Sequence, residues 1–277
     1  MNLVVQGPAF SKTEAEELAA MIDAGSMEKI AEHAYRLKKI KLTLSVEAWC
    51  EARRIDHAWM PERRRFSDLK LLAMDMDSTL ITIESIDELG DMAGKKAEIA
   101  AITAQAMRGE IDYPESLRRR VALLAGLQES ALERVYQERL RMTAGADALL
   151  AACKKHGVKL LLVSGGFTFF TERLKGRLGL DYTISNTLEI KHGRLTGNLS
   201  GDIVDAQAKA AKFISVLKEI RATKEQSAAI GDGANDLKMM AEAGISVAFR
   251  AKPVVRAQAS CALNWSDLDG VVNLFER

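Results

Sequence analysis

Cysteine, proline and long apolar runs are all scarce in this sequence. Its 277 residues include three cysteines and four prolines, and the cysteines lie far apart at Cys50, Cys153 and Cys261. No CxxC or Cys/His cluster appears, so neither a disulfide framework nor a zinc site is predicted, and a reducing cytoplasm is expected. Apolar blocks such as Leu160–Val163 are far shorter than the roughly 18 residues of a membrane span. The N-terminus also lacks a basic leader, so we expect neither secretion nor a membrane partner.

An excess of charge of either sign is also missing. The chain carries 39 basic and 38 acidic side chains, which gives a net charge of +1. Nothing global therefore attracts nucleic acid, and no nucleic-acid partner is expected. Two local basic triplets, Arg63–Arg65 and Arg118–Arg120, are typical of solvated helix faces. The hydrophobic share of 48% is that of an ordinary folded protein.

Residues 1–69 have their own pattern and predict a small N-terminal α/β segment. Asn2–Val5 is a predicted strand, and the charged stretch Pro61–Asp68 is a predicted linker. This segment carries no recognisable chemistry. Helices are predicted at Lys12–Ile22, Met27–Lys38 and Val46–Arg54.

A different pattern, an apolar run, a turn and then a helix, begins at Lys70 and defines a second unit over residues 70–277. Because each run is apolar throughout, we predict strands buried on both faces of a parallel sheet, with helices on both sides. This is the Rossmann-like, doubly wound α/β class. The four runs are Leu71–Met74, Lys159–Val163, Ser227–Ile230 and Ile245–Phe249.

Two insertions interrupt this pattern. Residues 84–142 contain four helix-like segments and no convincing strand, which predicts a helical cap after the first strand of the sheet. His192-Gly193 lies between the stretches Leu188–Ile190 and Leu195–Gly197 and predicts a hairpin turn. In an open parallel sheet the active crevice lies beyond the carboxyl ends of the strands. The residues that follow each apolar run are therefore the candidate site residues.

Polar residues directly follow the first two runs. Asp75 and Asp77 end the first run, where both carboxylates can point into the crevice, although a solvated turn is the plainer interpretation of this pair alone. Ser164-Gly165-Gly166 ends the second run and opens a helix predicted at Phe167–Leu178. A hydroxyl and glycine amides at a helix N-terminus form an anion site, but Ser164 could equally be a simple helix cap.

Acidic residues follow the third run, in the sequence GDGAND. Glycines on both sides of Asp232 let the backbone bend and expose its carboxylate, and Asn235 and Asp236 fall on the first turn of the next helix. Grouped acids of this kind suit Mg²⁺, whereas a capping box explains only one of them. Lys209 lies in a helical stretch, and spacing alone does not distinguish it from Lys212.

Together these residue types are typical of phosphoryl transfer. A phosphoryl group is surrounded by negative charge, so an attacking carboxylate needs a metal ion and other cations to neutralise the repulsion. The sequence has no GxSxG motif, no cysteine in a fitting context and no GxxxxGK(S/T) loop. We therefore predict a Mg²⁺-dependent phosphatase that acts on a small molecule.

Four motifs in this order resemble the haloacid dehalogenase superfamily of phosphohydrolases: DMDST, the SGG after KLLLV, Lys209, and GDGAND. The sequences ESIDEL, AMRGEIDYPESLRRRV, VSGGFTFF and GDGANDLKMMAEAGISVAF resemble more closely those members that hydrolyse O-phospho-L-serine, the last step of serine biosynthesis. The likeness covers Leu71 to Arg277. Related enzymes often carry an ACT-like regulatory module at the N-terminus, so residues 1–69 are a candidate for such a module.

The resemblance implies a role for each motif residue. Asp75 would attack phosphorus and become the aspartyl-phosphate, while Asp77 would protonate the leaving oxygen and then activate water. One Mg²⁺ would be held by the Asp75 carboxylate, the Asp77 backbone carbonyl and Asp232. The residues that would hold the phosphoryl group or support the metal and the lysine are Ser164, the Gly165 amide, Lys209, Asn235 and Asp236.

In the cap, the resemblance implies contacts with the rest of the substrate. Glu84 would meet the ammonium group and Arg120 the carboxylate, for which a bidentate guanidinium is the natural partner. Met107 and Tyr113 would cover the substrate and exclude water, although both are also compatible with a place in the cap core.

Two alternatives stay open from the sequence. The chain is a phosphatase of the same superfamily for another small phosphomonoester, or it is a catalytically silent regulatory protein that binds a ligand. Glu84 and Arg120 argue against a sugar phosphate, which has neither an ammonium nor a carboxylate. The presence of both Asp75 and Asp77 argues against a silent protein. Whether the chain forms a homodimer is also left open.

Overall fold

The computed structural model describes residues 1–41 and 46–276, so residues 42–45 of the predicted N-terminal segment and residue 277 lie outside it. Two β-sheets organise the described residues. The smaller sheet belongs to the N-terminal unit. The elements of this unit are β1 (Asn2–Gln6), α1 (Lys12–Met21), β2 (Ala24–Ala31), β3 (Ala34–Ile40), α2 (Glu47–Ala52) and β4 (Asp56–Met60).

The N-terminal sheet is antiparallel and has the strand order β2-β3-β1-β4. Val4 of β1 lies opposite Arg36 on one side and Ala58 on the other. A βαββαβ chain with this strand order is the split βαβ, or ferredoxin-like, arrangement. The predicted N-terminal α/β segment is confirmed. Its ACT-like regulatory role stays a prediction, because a fold does not by itself define a function.

The helix predicted at Met27–Lys38 is wrong, because this stretch forms most of β2 and β3. Tyr35 and Leu37 belong to the N-terminal core, where they are 3% and 0% exposed. Arg36, between them, donates from its guanidinium to the carbonyl of Phe275 at 2.5 Å, on the side of the larger unit. Residues 34–37 are all buried, and successive residues of β3 are buried on opposite faces of the small sheet, which the helical spacing of the apolar residues concealed.

The second sheet forms the centre of the larger unit and contains all four apolar runs that were predicted as strands. Every residue of its first strand is buried, as expected for a strand that is covered on both faces. Its strands are β5 (Leu71–Asp75), β6 (Lys159–Phe167), β7 (Tyr182–Lys191), β8 (Arg194–Ser200), β9 (Ser227–Gly231), β10 (Ile245–Phe249) and β11 (Cys261–Leu263).

The chain between Ser85 and Met142, all of which the structure describes, forms the predicted helical cap without a strand. The cap rests on the β7–β8 hairpin of the larger sheet. The Gly126 amide donates to the Leu195 carbonyl at 2.8 Å, and the Leu195 amide donates to the Leu127 carbonyl at 2.9 Å. The cap helices are α3 (Ser85–Met92), α4 (Lys96–Met107), α5 (Tyr113–Ala122) and α6 (Ser130–Arg134), followed by a π-helical turn at Val135–Arg139.

The strand order of the large sheet is β11-β10-β9-β5-β6-β7-β8, and its neighbours are parallel except for the β7–β8 hairpin. His192 and Gly193 form the predicted hairpin turn with φ of 52° and 70°. The Rossmann-like sheet is confirmed. The remaining helices are α7 (Ala146–His156), α8 (Thr168–Leu178), α9 (Ala206–Glu219), α10 (Leu237–Glu242), α11 (Pro253–Arg256) and α12 (Gly270–Asn273).

The two units are joined by polar and apolar contacts. The stretch Pro61–Asp68, predicted as a linker, is packed in place by Phe66, which is 4% exposed in the core of the larger unit. The Asp56 carboxylate of β4 accepts from the amides of Asn264 at 2.6 Å and Ser266 at 2.8 Å. These contacts tie the edge of the small sheet to the segment that follows β11.

The basic triplet Arg63–Arg65 does not lie on a helix, so its interpretation as a solvated helix face is wrong. It lies in the loop before a 3₁₀ turn at Phe66–Asp68. Arg64 donates to the carbonyls of Glu225 at 2.5 Å and Gly244 at 3.3 Å. The arginine therefore fastens this loop to the larger unit.

The three cysteines are free thiols, and all are buried. Burial raises the pKa of Cys50, Cys153 and Cys261 to about 12, so each is held as a neutral thiol. None of the helices in residues 1–41 and 46–276 combines the length and the apolar character that crossing a membrane requires.

Replacing Asp56 with alanine tests the junction between the units. Asp56 is 2% exposed, and its loss leaves the amides of Asn264, Trp265 and Ser266 without their acceptor. We expect the free energy of unfolding, measured by urea denaturation, to fall by about 3 kcal/mol. Asp202→Ala, at an exposed position, is the matched control and should change it by less than about 0.5 kcal/mol. Equal stability of the two variants would contradict this role of Asp56.

Candidate active site

The chain turns sharply after β5, and this turn gathers three acidic side chains. Ser78 has a φ of 56°, which reverses the backbone. Its hydroxyl then donates to Glu84 Oε1 at 2.7 Å. Asp75 and Asp77 are 5% and 9% exposed. The interpretation of this pair as a solvated turn is therefore wrong.

Asp77 is held by the first residue of the cap. The Ser85 amide donates to Asp77 Oδ1 at 2.9 Å, and the Ser85 hydroxyl donates to Oδ2 at 3.3 Å. Burial, together with the nearby charge of Glu84, raises the pKa of Asp77 to about 7, although the bonds from Ser85 act in the opposite direction. A carboxyl group with a pKa near neutrality can both give and take a proton.

A buried lysine lies against Asp75. Lys209 Nζ is 2.5 Å from Asp75 Oδ1 and 2.8 Å from Asp236 Oδ1. Burial disfavours the ammonium, but the carboxylates of Asp236 and Asp75 outweigh it and raise the pKa of Lys209. Lys212 is only half-buried, and its Nζ lies 5.8 Å from the centre of the Tyr182 ring. The structure therefore places Lys209, and not Lys212, at the site.

Three carboxylates form a cluster that could hold a metal ion. One oxygen from each of Asp75, Asp232 and Asp236 lies within 4.8 Å of the others. Asp236 is already engaged, because Lys209 donates to one of its oxygens and the Gly233 amide donates to the other at 3.2 Å. Asp75 and Asp232 are thus the better placed ligands, and carboxylate oxygens suit a hard divalent cation. The residues present fit such an ion.

The C-terminal end of β6 forms a compact polar segment beside Asp77. Ser164 is fully buried, and its Oγ accepts from the Gly166 amide at 2.8 Å and donates to Asp77 Oδ2 at 3.4 Å. A Cβ atom at Gly166 would lie 2.7 Å from Asp77 Oδ2, so this close approach requires glycine. Helix α8 has Phe167 as its N-cap residue. The interpretation of Ser164 as a simple helix cap is therefore wrong.

A cavity of about 730 Å³ lies between this edge of the sheet and the cap. Ser164, Lys209 and Asp236 are fully buried beneath the residues that line it. The predicted site residues that line the cavity are Asp75, Asp77, Glu84, Met107, Tyr113, Arg120, Gly165, Asp232 and Asn235.

The cap contributes polar and apolar groups to the cavity. Arg120 lies over the preceding turn of α5, where its Nε donates to the Ser116 carbonyl at 3.4 Å. The Tyr113 hydroxyl donates to the Gly165 carbonyl at 3.1 Å, which connects the start of α5 to the C-terminal end of β6. Met107 is 65% exposed and therefore does not belong to the cap core.

The other two arginines of the second triplet do not line the cavity. Arg118 is exposed, and Arg119 forms a surface ion pair with Glu115 at 2.7 Å. Their interpretation as a solvated helix face agrees with the structure.

Asn186, Thr79 and Lys252 also contact the site, and none of them was identified as a site residue from the sequence. Asn186 Nδ2 donates to the Gly165 carbonyl at 2.8 Å, and Thr79 Oγ1 donates to Asp232 Oδ1 at 3.3 Å. The Lys252 amide donates to the Asp232 carbonyl at 3.1 Å. Thr79 and Lys252 follow β5 and β10, so the strand-end rule could have identified them. Asn186 lies within β7 and carries no comparable signal.

The family model described as haloacid dehalogenase-like hydrolase matches residues 72–241. The chain belongs to the haloacid dehalogenase-like hydrolases. The matched range begins in β5 and ends in α10, so it contains the cap, the acidic cluster and Lys209.

Similar hydrolases of this family are known from several bacteria. The phosphoserine phosphatase of Polaromonas sp. is 54% identical over 215 residues, which cover 76% of this chain and 91% of that protein. A HAD family hydrolase structure from Salmonella enterica serovar Typhi has a TM-score of 0.90 at 30% identity and covers 99% of this chain and 98% of its own. A probable phosphoserine phosphatase structure from Vibrio cholerae has a TM-score of 0.86 at 36% identity, with 99% and 86% covered. Both structures therefore share the N-terminal unit of this hydrolase.

Removing the buried lysine tests the electrostatic balance of the site. Lys209→Met leaves the Asp75 and Asp236 carboxylates buried without their cation, so we expect the free energy of unfolding to fall by about 3 kcal/mol. Urea denaturation in the presence of EDTA measures this without a metal contribution. Lys212→Met, on the same helix but half-buried, should change stability by about 0.5 kcal/mol or less. A similar small effect of both substitutions would contradict the role of Lys209.

Proposed function

We propose that this hydrolase is a Mg²⁺-dependent phosphatase that converts O-phospho-L-serine to L-serine and phosphate through an aspartyl-phosphate on Asp75. One observation carries the proposal. A single cavity joins Asp75, which lies 2.5 Å from Lys209, to Glu84 and Arg120. Phosphoserine presents a phosphate, an ammonium and a carboxylate, and the cavity offers groups of suitable charge for all three. The name of the Polaromonas relative supports the same substrate.

In the first step, Asp75 attacks phosphorus, so a bond forms from its carboxylate oxygen while the bond to the serine oxygen breaks. Asp77 gives its proton to that leaving oxygen. The Lys209 ammonium offsets the negative charge of the phosphoryl oxygens. Mg²⁺, held by the Asp75 carboxylate, the Asp77 backbone carbonyl and Asp232, would supply further positive charge at the same place.

In the second step, Asp77 takes a proton from water, which attacks the phosphorus of the aspartyl-phosphate. The bond to Asp75 breaks, phosphate leaves and the carboxylate is restored. Both directions of proton transfer are supported by a pKa of about 7 at Asp77. The two hydrogen bonds from Ser85 keep this carboxyl group in one orientation.

The phosphoryl group would be held by the C-terminal end of β6 and by the lysine. Ser164 and the Gly165 amide would donate hydrogen bonds to phosphoryl oxygens beside Lys209. Asp236 positions the lysine, since its Oδ1 binds the same ammonium at 2.8 Å. Asn235 also lines the cavity and would contact the phosphoryl group.

The cap would recognise the amino-acid part of the substrate. Glu84 would bind the ammonium group and Arg120 the carboxylate, as their charges require. Met107 and Tyr113 would cover the substrate and keep bulk water from the phosphoenzyme.

Replacing Asp75 with asparagine tests the covalent mechanism. We expect kcat for phosphoserine to fall by at least about 10³-fold, because asparagine cannot form the phosphoenzyme. Phosphate release with Mg²⁺ measures turnover, and rapid quenching followed by mass spectrometry detects the added phosphoryl group in the unaltered enzyme. Asp202→Asn, at an exposed position, is the control and should match it. Turnover that survives Asp75→Asn would contradict the assignment of Asp75 as the nucleophile. Turnover without Mg²⁺ would contradict the proposed requirement for the metal ion.

Replacing Arg120 with alanine tests the substrate. We expect KM for phosphoserine to rise about thirtyfold or more, since the substrate carboxylate loses its cation. KM for p-nitrophenyl phosphate, which has no carboxylate, should change by less than about threefold. Arg119→Ala, one residue away on the exposed face, should leave both values unchanged. Equal losses on both substrates would favour a different phosphomonoester.

A further inference from the structure

Ser116 carries a buried hydroxyl that the proposed chemistry does not use. It lies in the middle of α5, is 1% exposed and lines the active-site cavity. Its Oγ has no hydrogen-bond partner among the residues that the structure describes. Within residues 1–41 and 46–276, Ser266 is the other residue with such an atom, and it lies at the junction of the two units.

Folding alone does not account for Ser116. A buried hydroxyl without a partner is destabilising, because it gives up its hydrogen bonds to water and gains none in return. Serine is also a poorer residue than alanine in a helix interior. At the wall of a cavity, such an atom is available to hydrogen-bond a group of a bound ligand.

The residue next to Ser116 on α5 indicates which group of a ligand its hydroxyl would contact. Ser116 and Arg120 are four residues apart on α5 and therefore lie on the same face of the helix. Arg120 Nε donates to the carbonyl of Ser116 itself, at 3.4 Å, so the arginine lies directly over this turn. A guanidinium has no acceptor atom, so Arg120 cannot accept a hydrogen bond from the Ser116 hydroxyl. A group bound by Arg120 would lie within reach of the Ser116 hydroxyl.

We propose that Ser116 is a specificity-determining residue whose hydroxyl donates a hydrogen bond to the substrate carboxylate bound by Arg120. A carboxylate has about four lone-pair sites, and a bidentate arginine occupies two of them, which leaves acceptors for a further donor. Ser116 thereby favours phosphate esters that carry a carboxylate over those that carry an ammonium alone. This inference rests on the proposed phosphoserine phosphatase function.

The test compares Ser116→Ala with the unaltered enzyme on three phosphate esters. Phosphoserine carries both the ammonium and the carboxylate, O-phosphoethanolamine has the ammonium but no carboxylate, and p-nitrophenyl phosphate has neither. We expect kcat/KM for phosphoserine to fall about tenfold, chiefly through KM. The values for the other two esters should change less than about twofold. The urea midpoint should stay the same or rise, because an unpaired hydroxyl has been removed.

Ser266→Ala is the matched control. Ser266 is also buried, at 8% exposure, and its Oγ also has no partner in the described part of the chain, but it does not line the active-site cavity. We expect this substitution to leave kcat/KM for all three esters unchanged. If Ser266→Ala also lowered kcat/KM for phosphoserine tenfold, the effect of Ser116→Ala would be one of general packing, and the proposal would be overturned.

The remaining outcomes separate this inference from the proposed function. Suppose that the unaltered enzyme prefers phosphoserine to O-phosphoethanolamine. If Ser116→Ala then lowers kcat/KM equally for the three esters, or does not lower it for phosphoserine, the role of Ser116 is overturned and the proposed function stands. An unaltered enzyme without that preference would overturn both proposals together.

Discussion

The buried ammonium of Lys209 between the carboxylates of Asp75 and Asp236 is the interaction on which the site depends. The three groups come from helix α9, the end of β5 and the turn before α10, so one cation fixes the relative position of three elements. All three side chains are nearly or fully shielded from water. Separating any one of them would leave an unpaired charge in the interior, which is strongly unfavourable. The strand ends and the helix therefore hold one arrangement.

The order of the large sheet explains why these elements meet. β5 lies between β6 and β9, so the loops after three neighbouring parallel strands open at the same edge. Asp75 is the last residue of β5, Ser164 lies near the C-terminal end of β6, and Asp232 directly follows β9. The cap, inserted directly after β5, covers the edge from above and brings Glu84 and Arg120 to the same cavity. The fold thus separates the tasks: the sheet edge supplies the groups for phosphate, and the cap supplies those for the rest of a substrate.

Much of this arrangement was predictable from the sequence, because apolar runs followed at once by polar residues are a local signal. The strand ends at Asp75, Ser164 and Asp232, the helical cap and the hairpin turn at His192 are all of this kind. The prediction of a helix at Met27–Lys38 was wrong because β3 is buried on both faces, against the N-terminal core on one face and against the larger unit on the other. Here tertiary packing overrides the local pattern.

Contacts between residues far apart in the chain could not be predicted from the spacing of residues along the sequence. Lys209 and Lys212 lie on one helix in similar sequence surroundings, and only burial against Asp75 and Asp236 separates them. Asn186 reaches Gly165 from within a strand, and the unpaired hydroxyl of Ser116 is visible only when the whole cavity is built. These features depend on which segments the fold brings together, and a single sequence does not encode that locally.

The cap is attached to the large sheet by different kinds of bond at its two ends. Its far end is joined to the β7–β8 hairpin by backbone hydrogen bonds, including Gly126 to Leu195 at 2.8 Å and Glu129 to Gly193 at 2.9 Å. Near the cavity, the hydroxyl of Tyr113 in α5 donates to the carbonyl of Gly165 near the C-terminal end of β6. The end of the cap at the hairpin is therefore fixed by backbone bonds that no substitution of a side chain removes, whereas the contact of α5 with Gly165 depends on the identity of residue 113.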